Sequence, residues 1–316
     1  MQKVYTWYLR AFSVLVAVLV VSGLGFVPLN AEAQQFKVAT GGEKGTYAQM
    51  FRELKAVCQG DLNLVEVPTS GSVENADLLM GNQVNAGIVQ QDVLFFRSRN
   101  EDMKMLKTLV TLHPEEVHLI TRADGKVEGQ KKILGFTYDK GQVVILNNFS
   151  ELAGRSVAAV GGSIWTAKAL TQNSGVAFSV VEAPSNPVAL DMLRSSQVDA
   201  VVMVIGHGAA IVKELGPEFK LLPITDMPLE MLTKNIYDPA KLTYTNLSQS
   251  NGVSTVKVQS LFITRDYKTQ KMKDGLLKLR ECIKEKAPEI AESTGTHPKW
   301  QEVDPANMGK WPVYAQ

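Results

Sequence analysis

Phe36-Lys-Val-Ala-Thr-Gly-Gly-Glu-Lys-Gly-Thr-Tyr47 decides the fold, because it turns an apolar run into a helix within a few residues. Its Thr46-x-x-Gln49 pattern, ahead of an apolar face that begins at Met50, is typical of a capping box at a helix start. Glycines let a ligand approach the backbone, and a helix start offers free N–H groups and about half a positive charge. The stretch therefore predicts a strand, a glycine turn and a helix whose start can bind an anion.

Known phosphate-binding motifs do not match this turn. It lacks both the Gly-x4-Gly-Lys-Ser/Thr pattern of a P-loop and the Gly-x-Gly-x-x-Gly pattern of a dinucleotide site. The same residues are also compatible with an ordinary connection between a strand and a helix. Its interpretation as a binding turn therefore depends on whether a second strand, glycine turn and helix of this kind occurs in the chain.

A similar turn does recur in the second half of the chain. The strand predicted over Arg155–Val160 is followed by Gly161-Gly162 and by a helix with Ser163 as its expected cap. In addition, Gln83-Val-Asn-Ala86 between a helix and a strand is echoed by Gln197-Val-Asp-Ala200 in the same position. Matches in the same order predict two similar α/β lobes.

Strands alternate with helices around these turns, which predicts βαβ units and a parallel or mixed sheet in each lobe. In such sheets ligands bind beyond the C-terminal ends of the strands. In the first lobe these ends are Thr40-Gly-Gly42, Thr69-Ser-Gly-Ser72 and Gln90-Gln91, all small and polar. Two further strands are predicted over Leu106–Leu112 and Val117–Thr121, where the chain crosses to the second lobe.

Residues 1–33 have the pattern of a secretory signal. Lys3 and Arg10 precede or flank the apolar run Ala11–Val21, and Ala31-Glu-Ala33 is an A-x-A cleavage site. A membrane anchor is the alternative, but the run is short for a bilayer span. We expect cleavage before Gln34, export to the periplasm and a mature chain without a membrane-spanning segment.

The remaining chain is long enough for two domains. We expect lobe I to comprise residues 34–117 plus 262–316, and lobe II to comprise residues 118–261. A β-hairpin insertion is predicted over residues 126–150, and the strand Val256–Thr264 is predicted to cross back to lobe I.

The charge balance gives no reason to expect nucleic acid or a charged membrane surface as a partner. Lysine and arginine total 33, aspartate and glutamate total 32, and the net charge is +1. Ser72 and Ser163 are possible nucleophiles, but neither lies in a Gly-x-Ser-x-Gly elbow. His113 and His118 lack the spacing of a zinc protease, so we expect no enzyme, no metal and no cofactor.

The chain has two cysteines, Cys58 and Cys282. In an exported protein an even count indicates a disulfide, which would bring the two ends of the chain into one lobe. Two unrelated buried thiols are the alternative.

Five segments carry a resemblance to a known family. They are Ala39–Tyr47, Thr69–Asn75, Gly87–Asp92, Glu116–Leu119 and Leu152–Val157. In this order and spacing the chain resembles the TAXI group of solute-binding proteins of tripartite ATP-independent periplasmic (TRAP) transporters. The resemblance implies a type II periplasmic-binding fold with a cleft between two lobes. It also implies a small, usually carboxylate-bearing ligand and membrane subunits of a TRAP-type transporter as partners.

The ligand-binding candidates combine the helix starts with the polar strand ends. They are Gly42, Thr46, Tyr47, Ser70, Ser72, Asn75 and Gln90 in lobe I, and Ser163, Trp165, Thr166 and His207 in lobe II. Thr46 and Ser72 also fit ordinary helix caps. Tyr47 and Trp165 also fit core positions, and His207 fits a structural histidine.

The predicted function is capture of a small carboxylate-bearing ligand, amino-acid or dicarboxylate-like, between two helix starts. Because such a ligand touches both lobes only when they close, binding shifts the population toward the closed state. A periplasmic sensor or interaction protein that is not coupled to transport is the main alternative.

Overall fold

The computed structural model describes residues 35–60, 62–134, 136–225 and 236–315. The predicted signal at residues 1–33 lies outside these ranges. Within them, none of the helices combines the length and the apolarity needed to cross a bilayer.

The first lobe contains three parallel strands, each followed by a helix. These elements are β1 (Gln35–Ala39), α1 (Thr46–Cys58), β2 (Asn63–Val67), α2 (Ser72–Met80), β3 (Ala86–Gln90) and α3 (Gln91–Arg97). β1 lies in the centre and pairs in parallel with both β2 and β3. The polar strand ends predicted from the sequence therefore lie at one edge of the sheet.

One long strand leads out of the first lobe into the insertion. The strand β4 (Leu106–Arg122) is continuous, although the sequence predicts two strands separated by Pro114. Proline normally interrupts a ladder, and here Pro114 lies opposite Gln259 beside an irregularity in the pairing. The prediction of two separate strands is therefore wrong.

The insertion is a pair of short antiparallel ribbons. Its strands are β5 (Lys126–Glu128), β6 (Lys131–Ile133), β7 (Phe136–Asp139) and β8 (Gln142–Val144). β6 pairs with β7, and β5 pairs with β8 outside them. The predicted hairpin is confirmed.

The second lobe repeats the arrangement of the first. Its elements are β9 (Ser156–Ala159), α4 (Gly162–Asn173), β10 (Ser179–Glu182), α5 (Asn186–Arg194), β11 (Ala200–Ile205) and α6 (Ala210–Lys213). β9 lies in the centre and pairs in parallel with β10 and β11.

The chain then returns to the first lobe. The strand β12 (Phe219–Leu221) still pairs with the second-lobe end of β4. It is followed by β13 (Tyr237–Leu242), β14 (Val253–Arg265), α7 (Gln270–Glu292) and a 3₁₀ helix at Pro298–Glu302. β14 is antiparallel to both β3 and β4, and β4 is antiparallel to β11.

All these strands except the insertion form one sheet, in the order β10-β9-β11-β4-β14-β3-β1-β2, with β12 on β4 and β13 on β14. Counted inward from either end of the sheet, each lobe contributes its second strand, then its first and then its third. A long strand shared between the lobes follows in both cases, β4 after β11 and β14 after β3. The two lobes thus repeat one α/β plan, as predicted.

The repeated Gln-Val-Asn/Asp-Ala motif makes an equivalent hydrogen bond in each lobe. Asn85 Oδ1 accepts from the backbone N–H of Lys37 at 2.8 Å, and Asp199 Oδ2 accepts from the N–H of Ser156 at 2.9 Å. Each side chain thereby binds the backbone of the central strand of its own lobe. The residues before each echo, Asn82 and Ser196, also share a positive φ, at 57° and 58°.

Cys58 and Cys282 form a disulfide, as predicted. It joins the end of α1 to the middle of α7, so both ends of the described chain belong to the first lobe. Around it, Phe51, Leu54 and Ile283 are buried in one apolar core.

Candidate functional site

Three helices that carry predicted site residues begin after a glycine. Gly45, Gly71 and Gly161 are the N-cap residues of α1, α2 and α4, and none of these starts has a side-chain cap. Gly71 and Gly161 have φ angles of 113° and 52°, which favour glycine. The caps predicted at Thr46, Ser72 and Ser163 are therefore wrong.

The hydroxyl groups of these three residues bind tertiary partners instead. Ser72 Oγ accepts from the N–H of Gln90 at 3.0 Å, and Ser163 Oγ accepts from the N–H of Val204 at 2.9 Å. Thr46 Oγ1 lies 3.3 Å from His297 Nε2. The first two bonds hold each helix start against the end of a parallel strand in its own lobe.

The start of α4 contacts the first lobe directly. A Cβ added at Gly161 would lie 2.8 Å from the carbonyl oxygen of Ser70. A Cβ at Gly162 would lie 2.5 Å from Gln90 Oε1 and 3.1 Å from Ser72 Cβ. The α2 and α4 starts therefore face each other at the junction of the two lobes.

Gln90 occupies the centre of this junction. Its side chain is 4% exposed, and its Nε2 donates to the carbonyl oxygen of Val204 at 3.5 Å. Its Oε1 has no hydrogen-bond partner in the part of the chain that is described. A buried acceptor without a donor is uncommon in native proteins, so Oε1 is a position where a ligand can supply the missing donor.

Tyr47 and Glu115 form a buried pair beside Ser72. The Tyr47 hydroxyl donates to Glu115 Oε2 at 2.5 Å and lies 3.4 Å from Ser72 Oγ. Burial raises the pKa of Glu115 to about 8, with a smaller contribution from the nearby Asp92. The pKa of Tyr47 is raised as well, by burial and then by Glu115. Near neutral pH this corner of the site is therefore mostly uncharged.

Thr166 belongs to a second contact between the lobes. Its Oγ1 donates to Asp92 Oδ2 at 2.6 Å, and the Tyr237 hydroxyl donates to the same oxygen at 2.7 Å. Burial raises the pKa of Asp92, while the two hydroxyl donors oppose that rise. The cluster links α3 of the first lobe to α4 and β13.

His207 follows β11 and reaches another carboxylate. Its backbone N–H donates to Glu116 Oε2 at 2.6 Å, and its ring Nε2 lies 3.0 Å from the carbonyl oxygen of Thr243. Glu116 also pairs with Lys299, whose Nζ lies 2.9 Å and 3.0 Å from its two oxygens.

Four predicted residues lie apart from the contact between the helix starts or serve the core. Gly42 is exposed, with open space where a Cβ would lie, and Asn75 Nδ2 is bound to the carbonyl oxygens of Thr40 and Ile88. The Ser70 hydroxyl binds Glu74 at 2.7 Å, so only its backbone meets Gly161. Trp165 packs on the apolar cores of both lobes.

Glu115 and Lys299 were not predicted as site residues from the sequence, and Glu116 was noted only within a segment that carries the family resemblance. Two adjacent carboxylates between two predicted strands were an available signal, since buried charges require partners. Lys299 gave no local signal, because the partner that buries it lies far away in the sequence. In the described ranges no group of three or more His, Cys, Asp or Glu side chains has a metal-binding arrangement.

Comparison with known proteins supports the fold. No family model matches the chain. A protein of known structure from Bordetella bronchiseptica RB50 aligns with a TM-score of 0.51 and 12% identity, over 86% of this chain and 78% of that one. Together with the strand order, this similarity confirms the two-lobed α/β fold predicted from the sequence.

Two further solved structures have lower scores. An arginine transport system periplasmic binding protein from Legionella pneumophila aligns with a TM-score of 0.48 and 11% identity, over 81% of this chain and 94% of that one. An amino acid ABC transporter substrate-binding protein from Streptococcus pneumoniae, bound to L-arginine, aligns at 0.46 and 15%, over 79% and 89%. Fold similarity at such identities does not transfer a ligand.

Proposed function

We propose that this protein is a periplasmic solute-binding protein. It captures a small carboxylate-bearing ligand, amino-acid or dicarboxylate-like, by closing its lobes, and delivers the ligand to TRAP-type membrane subunits. The observation that carries the proposal is the buried Oε1 of Gln90, which has no hydrogen-bond partner among the described residues and lies where the α2 and α4 starts meet. An amino group or a protonated carboxyl group of the ligand supplies its donor.

The two helix starts supply the complementary half of the site. Because α2 and α4 have glycine N-caps, no side chain caps either start. In α4 the N–H groups of Ser163 and Ile164 bind the carbonyl oxygens of Val160 and Gly161, so this start has fewer N–H groups to offer a ligand than the start of α2. Each start contributes about 0.3–2 kcal/mol to binding a negative group, and charge-assisted hydrogen bonds add about 1.5–3 kcal/mol each. A few such contacts reach micromolar affinity, which corresponds to about 8 kcal/mol.

The contacts at Gly161 and Gly162 leave little room between the helix starts. We therefore infer that the lobes must separate for a ligand to enter, and that the ligand then stabilises a closed arrangement. The disulfide is consistent with an oxidising compartment, and hence with the periplasmic location expected from the signal sequence.

The proposal is tested by native mass spectrometry of freshly purified protein, followed by titration with L-glutamate, L-arginine and succinate. We expect a retained small acid or micromolar binding of at least one probe, with a smaller radius of gyration in its presence. Gln90→Leu should weaken that binding at least tenfold, since it removes the unpaired acceptor. Gln49→Leu, at an exposed position on α1, is the matched control.

A chain that retains no ligand and binds none of a wide panel of amino acids and dicarboxylates would contradict the proposal. Turnover of a bound probe would instead indicate an enzyme. Against catalysis, the hydroxyl oxygens of Ser72 and Ser163 accept from backbone N–H groups, and no described contact joins either to a histidine.

The insertion favours a second candidate, a periplasmic sensor or interaction protein. It exposes the apolar side chains Val127, Leu134, Val143 and Ile145, of which Leu134 is 94% exposed. Grouped exposed apolar residues are typical of protein contacts. Purification from membranes distinguishes the two: TRAP-type subunits support the transport role, and a sensor kinase or other envelope complex supports this one.

A further inference from the structure

The C-terminal 3₁₀ helix is attached to the first lobe beside the proposed site. The indole Nε1 of Trp300 donates to Glu53 Oε2 at 2.6 Å, and the backbone N–H of His297 donates to Glu53 Oε1 at 3.0 Å. The His297 ring reaches Thr46 Oγ1 at the first residue of α1. Because Trp300 is also buried in the core around α1 and α7, this attachment is fixed by packing as well as by hydrogen bonds.

The same helix reaches the end of a second-lobe strand through Lys299. The side chain of Lys299 is 1% exposed, and its Nζ contacts both oxygens of Glu116 and, at 2.8 Å, Glu302 Oε1. Its alkyl chain lies along Gly206, the residue that follows β11, where an added Cβ would lie 2.9 Å from Lys299 Cε. Gly206 therefore leaves space for this side chain.

Glu116 connects Lys299 to the backbone of the second lobe. It lies in β4 opposite Ile205, the last residue of β11, and its Oε2 accepts from the N–H of His207. One carboxylate thus holds both the ammonium group of the C-terminal helix and the amide that begins the loop after β11. Removing one partner of such a buried pair leaves the other charge without compensation.

We propose that His297–Glu302 is a strap that spans the two lobes and holds them in the closed arrangement. The strap is bound to α1 through the contacts with Glu53 and Thr46. It is bound to the end of β11 through Lys299, which contacts Gly206 and pairs with Glu116. Separation of the lobes at this edge requires Lys299 to leave Gly206 and Glu116. Its use in gating ligand entry rests on the proposed function, whereas the strap itself is testable without ligand.

The test is hydrogen exchange, followed by mass spectrometry, on the ligand-free full-length mature chain. Lys299→Met keeps the apolar stem and removes the charge. We expect peptides covering residues 205–209 to exchange at least tenfold faster, the radius of gyration to increase, and the core peptides of β1 and β9 to be unchanged. Lys286→Met is the matched control, because Lys286 makes an ion pair with Glu289 on the surface of α7.

Unchanged exchange at residues 205–209 would overturn the strap, and so would a uniform increase over the whole chain, which indicates general destabilisation. If Lys299→Met does not fold, Glu116→Gln provides the same comparison, since its amide oxygen still accepts from the His207 N–H while the ion pair is lost. Rescue of protection by Lys299→Arg would support the strap. Ligand binding is not used in any of these measurements, so failure of the strap is distinct from failure of the proposed function.

Discussion

Glu115 shows how far burial changes the chemistry of a single side chain. It lies in β4, almost inaccessible to water, and its only described hydrogen-bond donor is the Tyr47 hydroxyl. One neutral hydroxyl does not replace the hydration of a carboxylate, so the protonated form is favoured. The consequence is a folded state that holds one more proton than the unfolded chain over a wide pH range.

Glu115→Gln should therefore flatten the dependence of stability on pH. The pKa of Glu115 is about 8 in the folded protein against 4.5 for the unperturbed group. The stability from this site is complete below the lower value and is lost as pH rises through the higher one. Between pH 5 and pH 8 the wild type should lose about 3 kcal/mol more than the variant.

Urea unfolding at the two pH values measures this difference. Glu43→Gln, at an exposed position, is the control and should behave as the wild type. Identical pH slopes for the wild type and Glu115→Gln would show that Glu115 ionises normally in the folded protein.

At this scale the sequence predicted part of the cluster at the junction but not what its atoms bind. Ser72, Gln90 and Ser163 do meet at the junction of the lobes. Their hydrogen-bond partners are backbone groups of other elements, which a local pattern such as a capping box does not contain. For the same reason the burial of Lys299 could not be predicted from its neighbours in the sequence.

Among the elements, the start of α4 has the tightest fit between the lobes. Alanine is favoured over glycine in a helix by about 1 kcal/mol, yet at Gly162 its Cβ would collide with Gln90 and Ser72. We expect Gly162→Ala to lower the free energy of unfolding by about 1–3 kcal/mol, as for other overpacked sites. It should also increase the radius of gyration.

Gly42→Ala is the matched control, because it changes the corresponding glycine turn of the first lobe where no heavy atom lies within 4 Å of the new Cβ. Chemical denaturation and small-angle scattering of both variants check the prediction. Equal stability and equal dimensions for the two variants would show that the junction can relax at no cost.

The element order was largely predictable, because alternating apolar runs and glycine turns mark each strand and helix locally. The continuity of β4 through the junction of the lobes was not predictable. The sequence predicted separate strands over Leu106–Leu112 and Val117–Thr121, but pairing with β14 on both sides of Pro114, and with β11 after it, makes one continuous strand. The strand β13 was missed because its residues, which include Pro239, lack an apolar pattern, and the antiparallel pairing with β14 defines it.

At the scale of the whole molecule, the disulfide closes a loop over a sequence separation of 224 residues. In the chain-entropy model a loop of this length restricts the unfolded chain by about 5 kcal/mol, although measured effects are often smaller. We expect Cys58→Ser with Cys282→Ser to lose about 2–5 kcal/mol of stability in urea unfolding. A reductant should destabilise the wild type by a similar amount and leave the double variant unchanged.

The two lobes share two long strands. The proposed limits, after residue 117 and after residue 261, fall inside β4 and β14, each of which continues through the junction. Movement of one lobe against the other must therefore twist these strands. The repeated order of strands could be predicted from the echo in the sequence, but the sharing of two strands depends on pairing across the whole chain.

The position of β14 also constrains how the protein is made. The first lobe begins at residue 35, but the strand next to β3 is completed only at Arg265, and the helix that carries Cys282 follows still later. The first lobe therefore cannot be completed until Arg265 and the helix that carries Cys282 are available. The second lobe, whose three parallel strands are continuous in sequence, has most of its parts available first, so assembly should proceed from the middle of the polypeptide outward.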